Sequence, residues 1–302
     1  MGDRVDLRLH AALLFVQVTF GAFHVVGKFV LGSVEPMAVA ATRILISTPL
    51  LLLLAHRVDP RIPSRTDLGR LAVLGLLGVF LNQVLYIYGL KITSATNAAI
   101  LMPSIPVFVA LVLALSGRER LSSGRWAGVL LTVGGALVLL DWRGADFGRG
   151  ALAGNLMLLV NCLCYAFYLV LQRPMLERLH PLTVVAWAFL FGGLGVLVPG
   201  LPALAGASPA GLAPGVILGI LYIAVIPTGV NYALNTWALG RSSPALVAAY
   251  TTLQPLAAAL LAVPFLGERL GWREAVGFGL ISMGLFLVSG RKGGESPRAA
   301  RG

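Results

Sequence analysis

Residues 94–121 of this 302-residue chain recur 149 positions later as residues 243–270. Ser94 meets Ser243, Ala99 meets Ala248, Pro106 meets Pro255, and Glu119-Arg120-Leu121 meets Glu268-Arg269-Leu270. The same offset reaches outward, pairing Asn82 with Asn231, Leu90 with Leu239, Gly128 with Gly277 and Gly135 with Gly284. Register kept over more than fifty residues is hard to explain by composition, so the chain is an internal duplication. Each copy of the repeated stretch is an uncharged apolar run of about twenty residues, the length an α-helix needs to cross roughly 30 Å of hydrocarbon.

Composition agrees. Of all residues 58% are hydrophobic and 12% charged, where a soluble domain carries about 25% charged residues. A polytopic membrane protein is expected, with no soluble core to seek. The net charge of +11 sits in short segments between apolar runs. It therefore speaks of membrane orientation and anionic lipid head groups, and no nucleic-acid partner is expected. Cys162 and Cys164 lie two apart within an apolar run, so they point away from each other around a helix and cannot pair.

Apolar runs set against polar breaks predict ten spans: 9–29, 37–55, 70–90, 94–116, 124–141, 151–172, 182–199, 214–237, 243–266 and 272–289. The start resembles a signal peptide, but its apolar part is too long, no small-residue cleavage site closes it, and many spans follow. It reads as an uncleaved first helix. With the N-terminus inside, the cytoplasmic segments hold sixteen Lys and Arg and the opposite side six. That bias puts both termini in the cytoplasm. Five helices per repeat is an odd number, so the second repeat lies upside down relative to the first. The expected fold is all-α and polytopic, with ten transmembrane helices as two inverted five-helix repeats at 9–141 and 151–289 and a cytoplasmic tail at 290–302. The first helices of the repeats match at an offset of 145, with Phe20-Gly21 against Tyr165-Ala166, Lys28 against Arg173 and Pro36 against Pro181. Inverted repeats recur in secondary transporters, with the solute site near the midplane between the halves.

Two five-helix halves, Pro36 and Arg43 in the second helix, Gly267-Glu268-Arg269-Leu270 after a Pro255-bearing ninth helix, and a glycine-spaced last helix carry a resemblance. The chain resembles the drug/metabolite transporter superfamily, most closely its EamA-like ten-helix branch. The first half departs by having Arg118-Glu119 where Gly-Glu is usual. The resemblance implies secondary transport, in the exporting direction, of a small metabolite such as an amino acid or drug-like compound. It also implies a small-molecule substrate and lipid bilayer as partners, and the cytoplasmic (inner) membrane of a bacterium as the location. The rival reading is a non-transporting membrane receptor or structural membrane protein, for which an inverted duplication has no evident use.

Polar side chains in hydrocarbon are costly and face the bundle interior. Those on the helices that the resemblance places around a central cavity are the candidate pathway residues. The first half offers Gln17, His24, Asn82, Tyr86 and Asn97, with Gln83 beside them. The second offers Asn161, Tyr165, Tyr168, Thr228, Asn231, Asn235, Tyr250 and Gln254. Asn82/Tyr86 and Asn231/Asn235 are each four apart on one helical face, and the repeat relates the pairs position by position. Either a shared pathway or interhelical hydrogen bonds would account for them. Pro103, Pro106, Pro227 and Pro255 are expected to kink their helices and free carbonyls. Gly128, Gly134, Gly135, Gly277, Gly279 and Gly284 allow close helix approach, within one chain as the simpler reading or across a homodimer. No Asp or Glu falls in the middle of a span, which leaves His24, Lys28 and Arg43 as titratable groups. Arg43 is expected to snorkel to the outer interface, with binding of a substrate carboxylate as the alternative. No catalytic, metal or cofactor motif is found: neither a P-loop, nor His-Glu-x-x-His, nor a nucleophile elbow, so an enzyme is not expected.

Overall fold

A computed structural model of the chain describes residues 6–93, 101–117, 122–139, 148–206, 211–254, 257 and 272–289. Among them are ten helical segments and no strand. In the first half α1 is Leu7–Leu31 and α2 is Pro36–Val58. α3 begins as Arg65–Gly75, passes through a π-helical turn at Leu76–Leu81 and continues as Asn82–Ile92. α4 is Ser104–Leu115 and α5 is Ser123–Leu139. In the second half α6 is Arg149–Gln172, followed by a 3₁₀ turn at Arg173–Glu177, and α7 is Pro181–Gly206. α8 comprises Pro214–Ile223, a π-helical turn at Ala224–Val230 and Asn231–Arg241. α9 is Pro244–Tyr250 with a 3₁₀ turn at Thr251–Leu253, and α10 is Trp272–Ser289. Five stretches are long and apolar enough to cross a membrane by length and composition: Pro36–Val58, Arg65–Gly89, Ala151–Glu177, Pro181–Gly206 and Pro214–Arg241. The protein is an all-α polytopic membrane protein of two inverted repeats.

Helix starts follow local chemistry. Glu35 accepts from Ala38 N–H ahead of Pro36, and Ser243 accepts from Leu246 N–H ahead of Pro244. In both, a side-chain oxygen meets an orphan donor while proline fills a position whose N–H has no partner to lose. Two connections are shorter than apolarity implies. α2 and α3 run on to leave only residues 59–64 between them, and α7 continues across Pro199 and Pro202 to Gly206. Apolarity marks where hydrocarbon ends, and a hydrogen-bonded helix does not stop there.

The halves interlock helix against counterpart. α5 packs most extensively on α10, and α2 on α7. α3 meets α6 as α1 meets α8. The α5–α10 crossing shows the pseudo-twofold relation at atomic scale. A Cβ on Gly128 would sit 2.8 Å from the Gly284 carbonyl, and one on Gly135 would sit 2.8 Å from the Gly277 carbonyl. Under the 149-residue offset Gly128 becomes Gly277 and Gly284 becomes Gly135, so each contact maps onto the other. These four glycines serve close approach within the chain. Among the described residues a Cβ on Gly134 or Gly279 would meet no atom within 4 Å, and these two take no part in the crossing.

Candidate functional site

The two π-helical turns occupy matching places. Leu76–Leu81 in α3, advanced by 149, falls on Ala224–Val230 in α8. Each turn directly precedes an asparagine, Asn82 or Asn231. π turns interrupt the regular ladder, recur at functional sites and re-aim the residues beyond them. In α8 the cause is visible. Pro227 has no N–H for the Ile223 carbonyl, and the Thr228 hydroxyl donates to that carbonyl at 2.7 Å. The next carbonyl, Ala224, accepts from the Ser47 hydroxyl of α2 at 2.6 Å. The freed acceptors are thus taken up by protein groups.

Thr228 Oγ1 also accepts from Arg43 Nε at 2.8 Å. Arg43 is 5% exposed, and its guanidinium carbon lies 5.1 Å from the centroid of the Phe23 ring. It does not snorkel to the interface. Thr228 of the π turn and the Phe23 face offer it a hydrogen bond and a cation–π contact inside the bundle, which competes with the reach to water. Arg43 borders a cavity of about 100 Å³ between the halves, room for several water molecules. α1 gives Gln17, Phe20 and Phe23 to its wall, and α3 gives Asn82, Gln83 and Tyr86. Met102 and Ile105 close it at α4. From the second half come Asn161 and Tyr165 of α6, Tyr232 and Asn235 of α8, and Thr251 and Gln254 of the α9 region.

The wall is only partly hydrogen-bonded to itself. Gln254 Nε2 donates to Gln17 Oε1 at 3.0 Å, and Asn235 Nδ2 donates to Tyr165 Oη at 3.3 Å. Asn161 Nδ2 donates to the Asn82 carbonyl, and Tyr232 Oη lies 3.3 Å from both the Gly78 carbonyl and Asn82 Oδ1. Gln17 Nε2, both ends of the Gln83 amide and Asn235 Oδ1 are buried with no partner among the described residues. Leaving such a group unmet costs about 1–3 kcal/mol. These four atoms belong to residues of one cavity wall, which therefore has hydrogen-bonding capacity that the described side chains do not use.

Seven of the candidate pathway residues therefore line one cavity: Gln17, Asn82, Tyr86, Asn161, Tyr165, Asn235 and Gln254. The others described lie behind it. Tyr168 stacks on Tyr165 with centroids 5.9 Å apart and accepts from Gln172 Nε2 at 2.8 Å. Asn231 is fully buried, donating to the Val16 carbonyl at 3.4 Å and accepting from Thr19 Oγ1 at 2.9 Å. Tyr250 Oη and His10 Nδ1 share a hydrogen bond. Thr228 holds Arg43. The His24 side chain, Asn97 and Pro255 lie outside the described residues. Pro103 sits in a turn and Pro106 in the first turn of α4, where no ladder bond is lost, while Pro227 is inside the π turn. Sequence reasoning passes over Phe20, Phe23, Met102, Ile105, Tyr232 and Thr251 as wall residues, and it expects Arg43 at the interface. For Phe20 a signal exists: its repeat partner is Tyr165, itself a candidate. Cys162 and Cys164 are free and buried.

The EamA-like transporter family model matches residues 9–141 and 152–290. An "Uncharacterized transporter" of Archaeoglobus fulgidus is 27% identical over 95% of this chain and 99% of its own length. "Protein WALLS ARE THIN 1" of Arabidopsis thaliana is 28% identical, over 97% and 85% respectively. "Uncharacterized transporter YcbK" of Bacillus subtilis is 28% identical over 84% and 82%. A solved crystal structure, 19% identical, superposes with a TM-score of 0.76 over 93% of this chain and 97% of that one, which shows a shared fold.

Proposed function

The chain belongs to the EamA-like transporter family and is a membrane transporter, and from that premise we propose that it is a secondary exporter of a small metabolite working by alternating access. The halves 9–141 and 151–289 would rock about the cavity between them, exposing it to one side at a time. One observation carries this reading: a single cavity draws its wall from both repeats and holds buried amide groups without partners among the described residues. A receptor could also use a polar cavity, but two inverted halves around it serve alternating access and have no evident use in a static protein. Family and relatives point to a transporter and away from an enzyme. Positive-inside bias supports cytoplasmic termini in a bacterial inner membrane. The amides, phenols and rings of the wall suit an amphipathic solute such as an amino acid or a small aromatic compound.

The test compares metabolites in the medium of cells that overexpress the protein and cells that lack it, then follows any enriched compound in proteoliposome counterflow. Enrichment that depends on the protein, with matching counterflow, is the expected result. No compound enriched and no counterflow would remove the export reading.

A further inference from the structure

We infer that Arg43 anchors a carboxylate group of the transported solute, whose body lies against the aromatic wall of the cavity; this rests on reading that cavity as the transport site. An arginine keeps its charge in proteins, and a charge inside a bilayer is penalised unless it is paired. Arg43 is nonetheless 5% exposed and, among the described residues, forms no ion pair with any Asp or Glu. Its protein contacts satisfy one edge. Nε donates to Thr228, and Phe23 lies beside the guanidinium carbon. That uses one of five N–H donors. The four on the terminal nitrogens have no acceptor among the described residues, and the residue borders the cavity.

A guanidinium edge held this way presents parallel N–H groups, the geometry a carboxylate accepts in a two-pronged pair. A single negative charge balances a single positive one, whereas a dianion would leave net charge in hydrocarbon. Gln83 Oε1 and Asn235 Oδ1, which have no donor among the described residues, suit a donor on the solute, and Phe20, Phe23 and Tyr86 suit an apolar or aromatic body. Pairing also gives Arg43 a functional reason to tolerate its site. The occupied cavity is near neutral and the empty one is charged, so a loaded carrier crosses its transition more readily than an empty one.

The experiment measures binding to the purified full-length protein in lipid nanodiscs. The probes are phenylacetate and 3-phenylpropionate, each beside its primary amide. At least one acid is expected to bind at least about tenfold more tightly than its amide, the worth of a charge-assisted hydrogen bond. Arg43→Gln should erase that preference while the protein keeps its thermal unfolding profile, and Arg43→Lys should retain it only in part. Should Arg43→Gln not fold, the acid–amide comparison on the unaltered protein decides alone. Equal binding of acid and amide, no binding of either acid at millimolar concentration, or a preference that survives in Arg43→Gln would overturn the proposal. The export reading fails separately. Acid binding without flux from proteoliposomes keeps the carboxylate site and removes transport, whereas flux of neutral amides without acid preference does the reverse.

Discussion

Asn82 and Asn231 show how far pseudo-symmetry reaches at the scale of single residues. The repeat makes them equivalent, and each opens its helix's second half directly after a π turn. Asn161 donates to the Asn82 carbonyl, and in the mirrored contact Asn231 donates to the carbonyl of Val16, the repeat partner of Asn161. Yet the Asn82 side chain reaches the cavity while Asn231 is sealed between α8 and α1. Their alanine variants should therefore differ in kind. Asn231→Ala removes the hydrogen bonds that tie α8 to the Thr19 hydroxyl and the Val16 carbonyl of α1 and should lower stability by about 0.6–2 kcal/mol, the range of interhelical hydrogen bonds in membranes. Asn82→Ala should mainly weaken solute binding, seen as a raised KM for flux with little change in unfolding temperature in detergent. Equal effects of both variants on both readouts would count against the distinction. The four-residue spacing of Asn231 and Asn235 identifies the right face of α8 to within a turn. It does not say that Tyr232 and Asn235 point inward, because that depends on the π turn upstream. Arg43 departs from its expected place for a related reason. Its depth along α2 is legible, but Thr228 and Phe23 come from 185 and 20 positions away, and only the fold brings them together.

Helices as elements are the most legible feature, since an apolar run of span length permits little else in a bilayer. Their ends are less so, as α7 shows by crossing Pro199 and Pro202. The π turn of α3 leaves no trace in sequence. Where α8 has Pro227, α3 has Gly78, and the reason for that glycine is a neighbour: a Cβ there would land on the Tyr168 ring of α6. The Gly78 carbonyl also lies 3.3 Å from Tyr232 Oη. Adding a methyl should push α3 and α6 apart where they approach the cavity. Gly78→Ala is expected to destabilise the protein by about 1–3 kcal/mol, as overfilled cores do. Tyr168→Leu in the same chain should recover part of that loss by vacating the ring. Gly134→Ala is the control: its added methyl meets nothing within 4 Å among the described residues, so it should be neutral or slightly stabilising. Thermal unfolding in a single detergent checks all three, and a Gly78→Ala variant as stable as the parent would show that α3 and α6 yield easily.

The whole molecule turns on the inversion, and one ion pair bears on it. Arg178 Nη2 lies 2.9 Å from Asp67 Oδ1, joining the connection after α6 to the first turn of α3. Both segments follow an even number of spans, so counting places them on one membrane face, as the contact requires. Arg178 is about half exposed, and such a pair adds on the order of 0–1 kcal/mol. Its significance is positional, since it ties the two halves together at one end of the bundle. The connection after α7 follows an odd number of spans and corresponds, through the repeat, to the one after α2. It must then lie on the opposite face. Charge sorts the same way: Arg57, Arg61 and Arg65 lie in and beside the connection between α2 and α3, while residues 207–213 carry no Lys or Arg. Single cysteines at Arg61 and at Ala213 test this in intact cells, with the buried native Cys162 and Cys164 replaced by alanine. A membrane-impermeant maleimide should label Ala213→Cys at once and Arg61→Cys only after permeabilisation. Labelling of both positions from one side would place the two connections on a common face. The halves would then not be inverted, and rocking between them could not expose the cavity to alternate sides.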